Sequence, residues 1–492
     1  MARSRPPPSW ARTPPRSTVP TPWRGGPCLP RPTGPRPTSP TACRRFVWTR
    51  RWPSGPSLSL SRNPCGRRSR RRPPAPVCPR RCRICRCPPT CPTCKGWRVT
   101  DRAPLNPTLA ATFPPPVMEA RRWLAGATFP PDRPLINVSQ AAPVDPPPMA
   151  LRQVMADAAL HRPESHLYGP VLGNPDLRAA VAATFSRRYG GAVGPHQVAI
   201  TQGCNQAFCA AITTLAGAGD QVILPTPWYF NHKMWLDMQG IDAVPLPCGD
   251  DLLPDPERAA ALIAPRCRAI VLVTPNNPSG AEYPAELVGR FFDLAQAHGL
   301  ALILDETYRD FDSRDGPPHD LPTRPDWDRT VIQLYSFSKA YRLTGHRVGA
   351  LIASDARMAQ VEKFLDTVAI STSQLGQIAA LWGLGNLGDW LAGERQAILL
   401  RRDAAVAALS GLPGWQVKSA GAYFAWVRHP FAASSADLAR RMVAEIGVLA
   451  LPGTMFVPQD DPVGPAHLRI AFANIDAMRI AELAGRLRGL QV

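Results

Sequence analysis

The chain has 492 residues, 13 cysteines and a formal net charge of +20, a balance that at face value points to a nucleic acid or an anionic surface. The charge is confined, however: of 57 basic residues, 22 Arg and one Lys fall in residues 1–100, which contain no Asp or Glu, leaving 34 basic against 37 acidic residues beyond. That excludes a polycationic body, and the lack of any run of 18 apolar residues excludes a hydrophobic membrane-spanning helix.

Residues 1–103 alternate Pro, Arg, Ser and Gly without period. Such a composition cannot bury enough apolar surface to offset the entropy of ordering, so a disordered tail is expected. Nine of the cysteines fall here, including the pairs Cys82/Cys85 and Cys91/Cys94, which are separated by five residues. Zinc knuckles place a longer hairpin between their pairs, so no metal is expected. The prolines also exclude the amphipathic helix of a transit peptide. A start assigned too far upstream, with Met118 the natural alternative, is preferred to a functional tail. The remaining four cysteines, Cys204, Cys209, Cys248 and Cys267, are sparse and unpatterned, which fits a reducing cytoplasm.

Residues 104–150 are read as an N-terminal arm packing beside a smaller C-terminal domain. In the large domain, residues 151–385, LRAAVAATFSRRYG (177–190) has the period of an amphipathic helix. The runs QVAIT (197–201), QVILP (221–225), AIVLVTP (269–275), LALILD (300–305) and TVIQLYS (330–336) read as buried strands, each preceded by a helical segment. This alternation predicts an α/β fold with a mostly parallel sheet covered on both faces, whose ligands bind at the carboxyl ends of the strands. Past residue 355 the rhythm changes to long helices, ending in residues 388–412. The strands GAYFAWVRH and HLRIAFAN follow within a small α+β domain, residues 386–492.

The strand ends carry the chemistry. After QVAIT, Gly203 permits a tight turn and the amides of Cys204 and Asn205 open a helix, which suits a phosphate but also an ordinary loop. Asn277 lies in NNPSG, which alone reads as a turn. Asp305 ends five apolar residues, with Tyr308 three further on; it is a buried carboxylate in need of a cation, or a helix N-cap. Then SFSKAYRLTGHRVG brings Ser336, Lys339 and Arg347 with no acid among them. Together these call for a ligand with a phosphate, a basic ring nitrogen, a ring hydroxyl and an aldehyde, as pyridoxal phosphate has. Lys339 is the candidate covalent anchor, its pKa lowered by the cationic neighbourhood, and Ser336 and Arg347 share the phosphate with the helix start at Cys204.

In order and spacing, NPSG, DETY and SFSKAYRLTGHRVG resemble the motifs of the class I/II aminotransferases, fold type I pyridoxal phosphate enzymes of the aspartate aminotransferase kind. The likeness runs from about Met118 to the C-terminus. It implies the three-layer fold of that family. It further implies that Asp305 secures the ring nitrogen, that Tyr308 and Asn277 hold the ring oxygen, and that Asn277 also braces the substrate carboxylate. Within PTPWYFNH it places Tyr229 on the cofactor ring, with Trp228 as the alternative. Within HLYGPVLGNPDLR, Tyr168 would reach the phosphate of the partner subunit, implying a homodimer with shared sites. Arg469, in HLRIAFAN, would grip the substrate α-carboxylate. SQAAPVDPPP matches a substrate-side segment in which the family commonly has Gly where this chain has Ala141.

The implied activity is amino transfer from an L-amino acid to a 2-oxo acid through a Lys339 aldimine, with ping-pong kinetics, in the cytoplasm, and with no membrane or nucleic-acid partner. Lyases and synthases of the same fold share these motifs. A transcription regulator with an aminotransferase-like body is the alternative of another class, but residues 1–100 offer no periodic helices for a DNA-binding head. A catalytically dead interaction protein is disfavoured, because every ligand position keeps a competent residue. The segment AISTSQLGQIAA has no arginine and the phosphate loop carries Asn205 instead of lysine, which weakens an acidic side-chain preference unless an arginine from elsewhere substitutes. Trp228, His232 and Tyr423 are candidates to line an aromatic or apolar side-chain pocket.

Overall fold

The structure is a computed structural model that describes residues 103–490. Nearly all of the expected disordered tail, with both CxxC pairs, lies outside the described residues.

Seven strands form the central sheet, in the spatial order Val198–Thr201, Gly349–Ile352, Val331–Ser336, Ala301–Asp305, Cys267–Val273, Gln221–Thr226, Asp242–Pro247. All run parallel except Gly349–Ile352, which is antiparallel to both neighbours because the short segment before it turns back instead of crossing over. The central strands are buried along their whole length, as strands covered on both faces must be. Two strands of this sheet escape the sequence reading. Asp242–Pro247 carries Pro245 and Pro247, which a strand tolerates only at an edge, where it lies. Gly349–Ile352 is too short to show a pattern.

Helices pack on the sheet through apolar stripes. Pro175–Tyr189 buries Leu177, Val181 and Phe185. It starts at Asn174, whose side chain accepts from the amides of Asp176 and Leu177, and ends at Gly190 with φ 72°. After the long helix Gly388–Ser410, an antiparallel sheet follows in the order Leu451–Pro452, His467–Ala471, Phe424–Arg428, Gln416–Gly421. The N-terminal arm divides rather than lying wholly beside this C-terminal unit. Ile136–Asn137 pairs in parallel with Val448–Leu449, but helix Pro107–Ala111 packs on helix Phe230–Gln239 of the large domain, where Thr108 Oγ1 donates to the Met238 carbonyl at 2.9 Å. Among the described residues no helix is long and apolar enough to cross a membrane.

A buried polar cluster lies beside the strand Ala301–Asp305. The Glu306 carboxylate, fully buried, accepts from Tyr189 Oη at 2.7 Å and Gln333 Nε2 at 2.8 Å, and lies 3.4 Å from His319 Nε2. The Arg309 guanidinium is sandwiched between the rings of Phe185 and Tyr335, each 4.0 Å away. Its Nη1 donates to Tyr189 Oη at 3.3 Å.

Candidate active site

A cavity of about 420 Å³ opens at the carboxyl ends of the strands. Extended chains deliver side chains to it because each strand stops there: Asp305 closes Ala301–Asp305, and Ser336 closes Val331–Ser336 and caps the short helix Phe337–Ala340, which carries Lys339. Of the residues singled out from sequence, Ala141, Cys204, Asn205, Tyr229, Asn277, Asp305, Tyr308, Ser336, Lys339, Arg347 and Arg469 all line it. Gly203 lies directly beneath Arg347: its φ of +80° favours glycine, and a Cβ there would stand 2.3 Å from Arg347 Nη2, so the guanidinium would have to shift. Tyr168 does not; it is 79% exposed on the surface.

Lys339 Nζ donates to the Ala141 carbonyl at 2.7 Å and lies 5.9 Å from the ring centres of both Tyr308 and Tyr423. Burial, reinforced by the charges of Arg347 and Arg469, lowers its ammonium from the usual lysine range to about 7. Asp305 is 4% exposed. Its burial pushes the carboxyl up, but the contact of His232 Nε2 with Oδ2 at 3.2 Å and the Thr307 hydroxyl and amide outweigh that, leaving it below its ordinary value. The Cys204 thiol donates to Asp305 Oδ1 at 3.4 Å, and burial raises the thiol well above its usual range. Asp305 is therefore an anion and Cys204 a neutral thiol near pH 7.

The two arginines mark opposite demands. Arg469 is 2% exposed, donates from Nη1 to Asn277 Oδ1 at 3.0 Å and from Nη2 to the Ser139 carbonyl, and leaves Nε with no partner. A buried guanidinium so incompletely paired is poised for an anion. Arg347 instead is open to the cavity, its Nη1 reaching the Thr344 carbonyl at 3.0 Å, and its backbone sits at φ 51°, a conformation a non-glycine residue adopts at a cost of about 1–3 kcal/mol. Such strain at a cavity wall is a common mark of function.

The chain matches the sequence model of "Aminotransferase class I and II" over residues 133–487. The chain belongs to this family. Aromatic aminotransferase ISS1 of Arabidopsis thaliana is 30% identical over 353 residues, covering 70% of this chain and 86% of the relative. Arginine–pyruvate transaminase AruH of Pseudomonas aeruginosa is 32% identical, covering 62% and 77%. The structure of an aspartate aminotransferase from Thermus thermophilus with maleate superposes with a TM-score of 0.72 at 24% identity, over 79% of this chain and 99% of that one, a likeness of fold.

In this transaminase, three expectations about the pocket wall need correction. Trp228 does not line the cavity; it is buried in the core, and its backbone amide donates to the Phe456 carbonyl at 2.8 Å, so of the two aromatic candidates only the Tyr229 ring reaches the cavity. His232 is 2% exposed and sits behind Asp305, stacked on Phe208 at 3.8 Å, instead of facing a substrate side chain. Tyr423 is buried behind Lys339 and likewise does not line the cavity. Sequence reasoning missed Thr307, Ser338 and Thr344, as well as Pro115, Val117, Met118, Arg121 and Gln140 of the arm, all of which line the cavity. A hydrophobic helix start at Pro116–Arg122 was the available signal, but nothing local says which way that helix faces. Ala141 keeps φ out of the left-handed region, so the missing glycine costs the backbone nothing there.

Proposed function

We propose that this transaminase binds pyridoxal 5′-phosphate in the cavity and moves the amino group of an L-amino acid to a 2-oxo acid in two successive half-reactions. The observation that carries the reading is a lysine of lowered pKa and a buried ionised aspartate on one cavity between two guanidiniums, Arg347 and Arg469. The fit to the cofactor is chemical. Gly203 leaves space beneath Arg347 that a side chain would fill, and helix Cys204–Thr213 begins there with no side-chain cap on its free amides, as a phosphate needs. Ser336 and Asn205 complete that end of the cavity. Asp305 supplies the anion a protonated ring nitrogen requires, Asn277 and Tyr308 supply donors for the ring oxygen, and Tyr229 a flat face for the ring. When bound, the cofactor supplies an aldehyde for an amine and a ring that accepts an electron pair.

The residues then divide the work. Arg469 binds the substrate α-carboxylate through paired N–H groups, with Asn277 holding its orientation at 3.0 Å. Lys339 Nζ, lowered to about 7 and so available in its neutral form near pH 7, takes the α-proton and returns it as transfer completes. Ala141 holds the free amine in position through its carbonyl. Asp305, kept ionised by His232 and Thr307, secures the ring proton throughout. Tyr168 is assigned to the partner subunit's phosphate. Leu167, Tyr168 and Ile370 are exposed on two segments that the Gly169 amide joins by donating to Ser371 Oγ at 3.3 Å, and they offer apolar surface that a second copy would cover. The N-terminal arm (104–150), large domain (151–385) and small domain (386–492) are proposed as the working units, with a site in the cytoplasm.

Ping-pong transfer is tested by stoichiometry. Cofactor-loaded protein given a donor amino acid alone is expected to release one equivalent of 2-oxo acid and stop, then to regain its visible absorbance when a second 2-oxo acid is added. Release of an eliminated product without an acceptor supports a lyase instead. The lysine sets a pH limit as well. Below about 7 the amine is protonated, so the rate at which the cofactor-free protein captures pyridoxal phosphate is expected to rise about tenfold per pH unit up to about 7 and level off above it. Capture that stays slow until about pH 10 contradicts the lowered pKa.

A further inference from the structure

Charge at the cavity is uneven once the ligands of the proposed function are seated, and the inference rests on that reading. Arg121, Lys339, Arg347 and Arg469 line the cavity against a single carboxylate, Asp305. Asp305 faces a protonated ring nitrogen, the phosphate takes Arg347 and the helix amides at Cys204, the α-carboxylate takes Arg469, and Lys339, lowered to about 7, is charged only in part near pH 7. Among the described residues Arg121 is left without an anion. Among the described residues its guanidinium has one hydrogen-bond partner, a neutral one: Nη2 donates to Gln140 Oε1 at 2.7 Å.

The placement of Arg121 follows from one short segment. The Ser139 carbonyl accepts from Arg469, the Gln140 side chain from Arg121, and the Ala141 carbonyl from Lys339 Nζ at 2.7 Å. Three successive residues, spanning about 7 Å between their outer Cα atoms, thus gather at one edge of the cavity the α-carboxylate arginine, the reactive amine and a further guanidinium. Arg121 reaches this edge from helix Pro116–Arg122, whose Val117 and Met118 also line the cavity. A guanidinium held by a neutral amide keeps its other N–H groups for a planar two-oxygen partner and loses no ion pair when one arrives.

We propose that Arg121, oriented by Gln140, is a specificity-determining residue that binds the second carboxylate of a dicarboxylic substrate of the 2-oxoglutarate/glutamate class. The arginine absent from residues 369–380 and the lysine replaced by Asn205 are thereby substituted from the N-terminal arm.

Glutarate and butyrate, unreactive acids with and without the second carboxylate, test this by calorimetric titration of the cofactor-loaded full chain. Glutarate is expected to bind at least about tenfold more tightly than butyrate, the effect of one charge-assisted pair. Arg121→Met is expected to bring that preference to within about threefold, Arg121→Lys to restore part of it, and the ratio of kcat/KM for 2-oxoglutarate over pyruvate to fall by a similar factor in Arg121→Met. Arg121 is exposed, so the variant is expected to fold; a thermal melt and the visible band of the loaded protein check this. Equal binding of the two acids by the unaltered protein, or an unchanged preference in Arg121→Met, overturns the inference while leaving amino transfer standing. A protein that neither takes up the cofactor nor transfers an amino group overturns both.

Discussion

Lys339→Ala is expected to lower kcat for amino transfer by about 10⁴-fold or more, because one atom is asked both to anchor the cofactor and to carry the proton. The loss is expected without loss of the fold. The Lys339 amine makes one hydrogen bond, to the Ala141 carbonyl, and its partial burial among Arg347 and Arg469 already opposes its charge. Removing it relieves that repulsion, so the melting temperature should hold or rise. In the unaltered protein a visible band formed with pyridoxal phosphate should vanish on borohydride treatment, leaving the cofactor attached; in Lys339→Ala no attachment should follow. Retention of activity within tenfold would sink the assignment of this amine.

Asp305→Asn is the second large effect. Asn matches the shape of Asp and keeps acceptors for the Thr307 amide and the Cys204 thiol, so packing is preserved. What disappears is a buried negative charge. Leaving the opposing cation unpaired in such a place costs about 3–5 kcal/mol, a fall in rate of roughly 10²–10³-fold or more. The loss should appear in kcat while the cofactor still attaches to Lys339, since attachment uses the aldehyde and transfer uses the ring. An Asp305→Asn enzyme with normal kcat, or one unable to attach the cofactor at all, would contradict this division of labour.

The central sheet was readable because buried parallel strands are continuous apolar runs, and the site because such sheets bind ligands where strands end. Asp305, Ser336 and Lys339 needed nothing more than that rule. The arm was not readable. Pro116–Arg122 is a single short helix whose orientation is decided by contacts far along the chain, so its residues at the cavity left no local trace. His232 was misplaced for a related reason: an aromatic near Tyr229 in sequence looks like a pocket residue, but the turn of helix Phe230–Gln239 sends it behind Asp305. Trp228 and Tyr229 could not be told apart by chemistry, only by which ring faces the cavity.

The adjacent acids Asp305 and Glu306 have parallel settings and different consequences. Each is shut away from solvent with its own histidine, Asp305 with His232 and Glu306 with His319. Only the first opens to the cavity; the second accepts from Tyr189 and Gln333 inside the core. A survey that scored enzyme output alone would find both positions intolerant and assign both to chemistry. Soluble yield would separate them, since Glu306 substitutions leave the buried Tyr189 hydroxyl and Gln333 amide without their acceptor and deplete the folded population, whereas Asp305 substitutions leave an intact but idle protein.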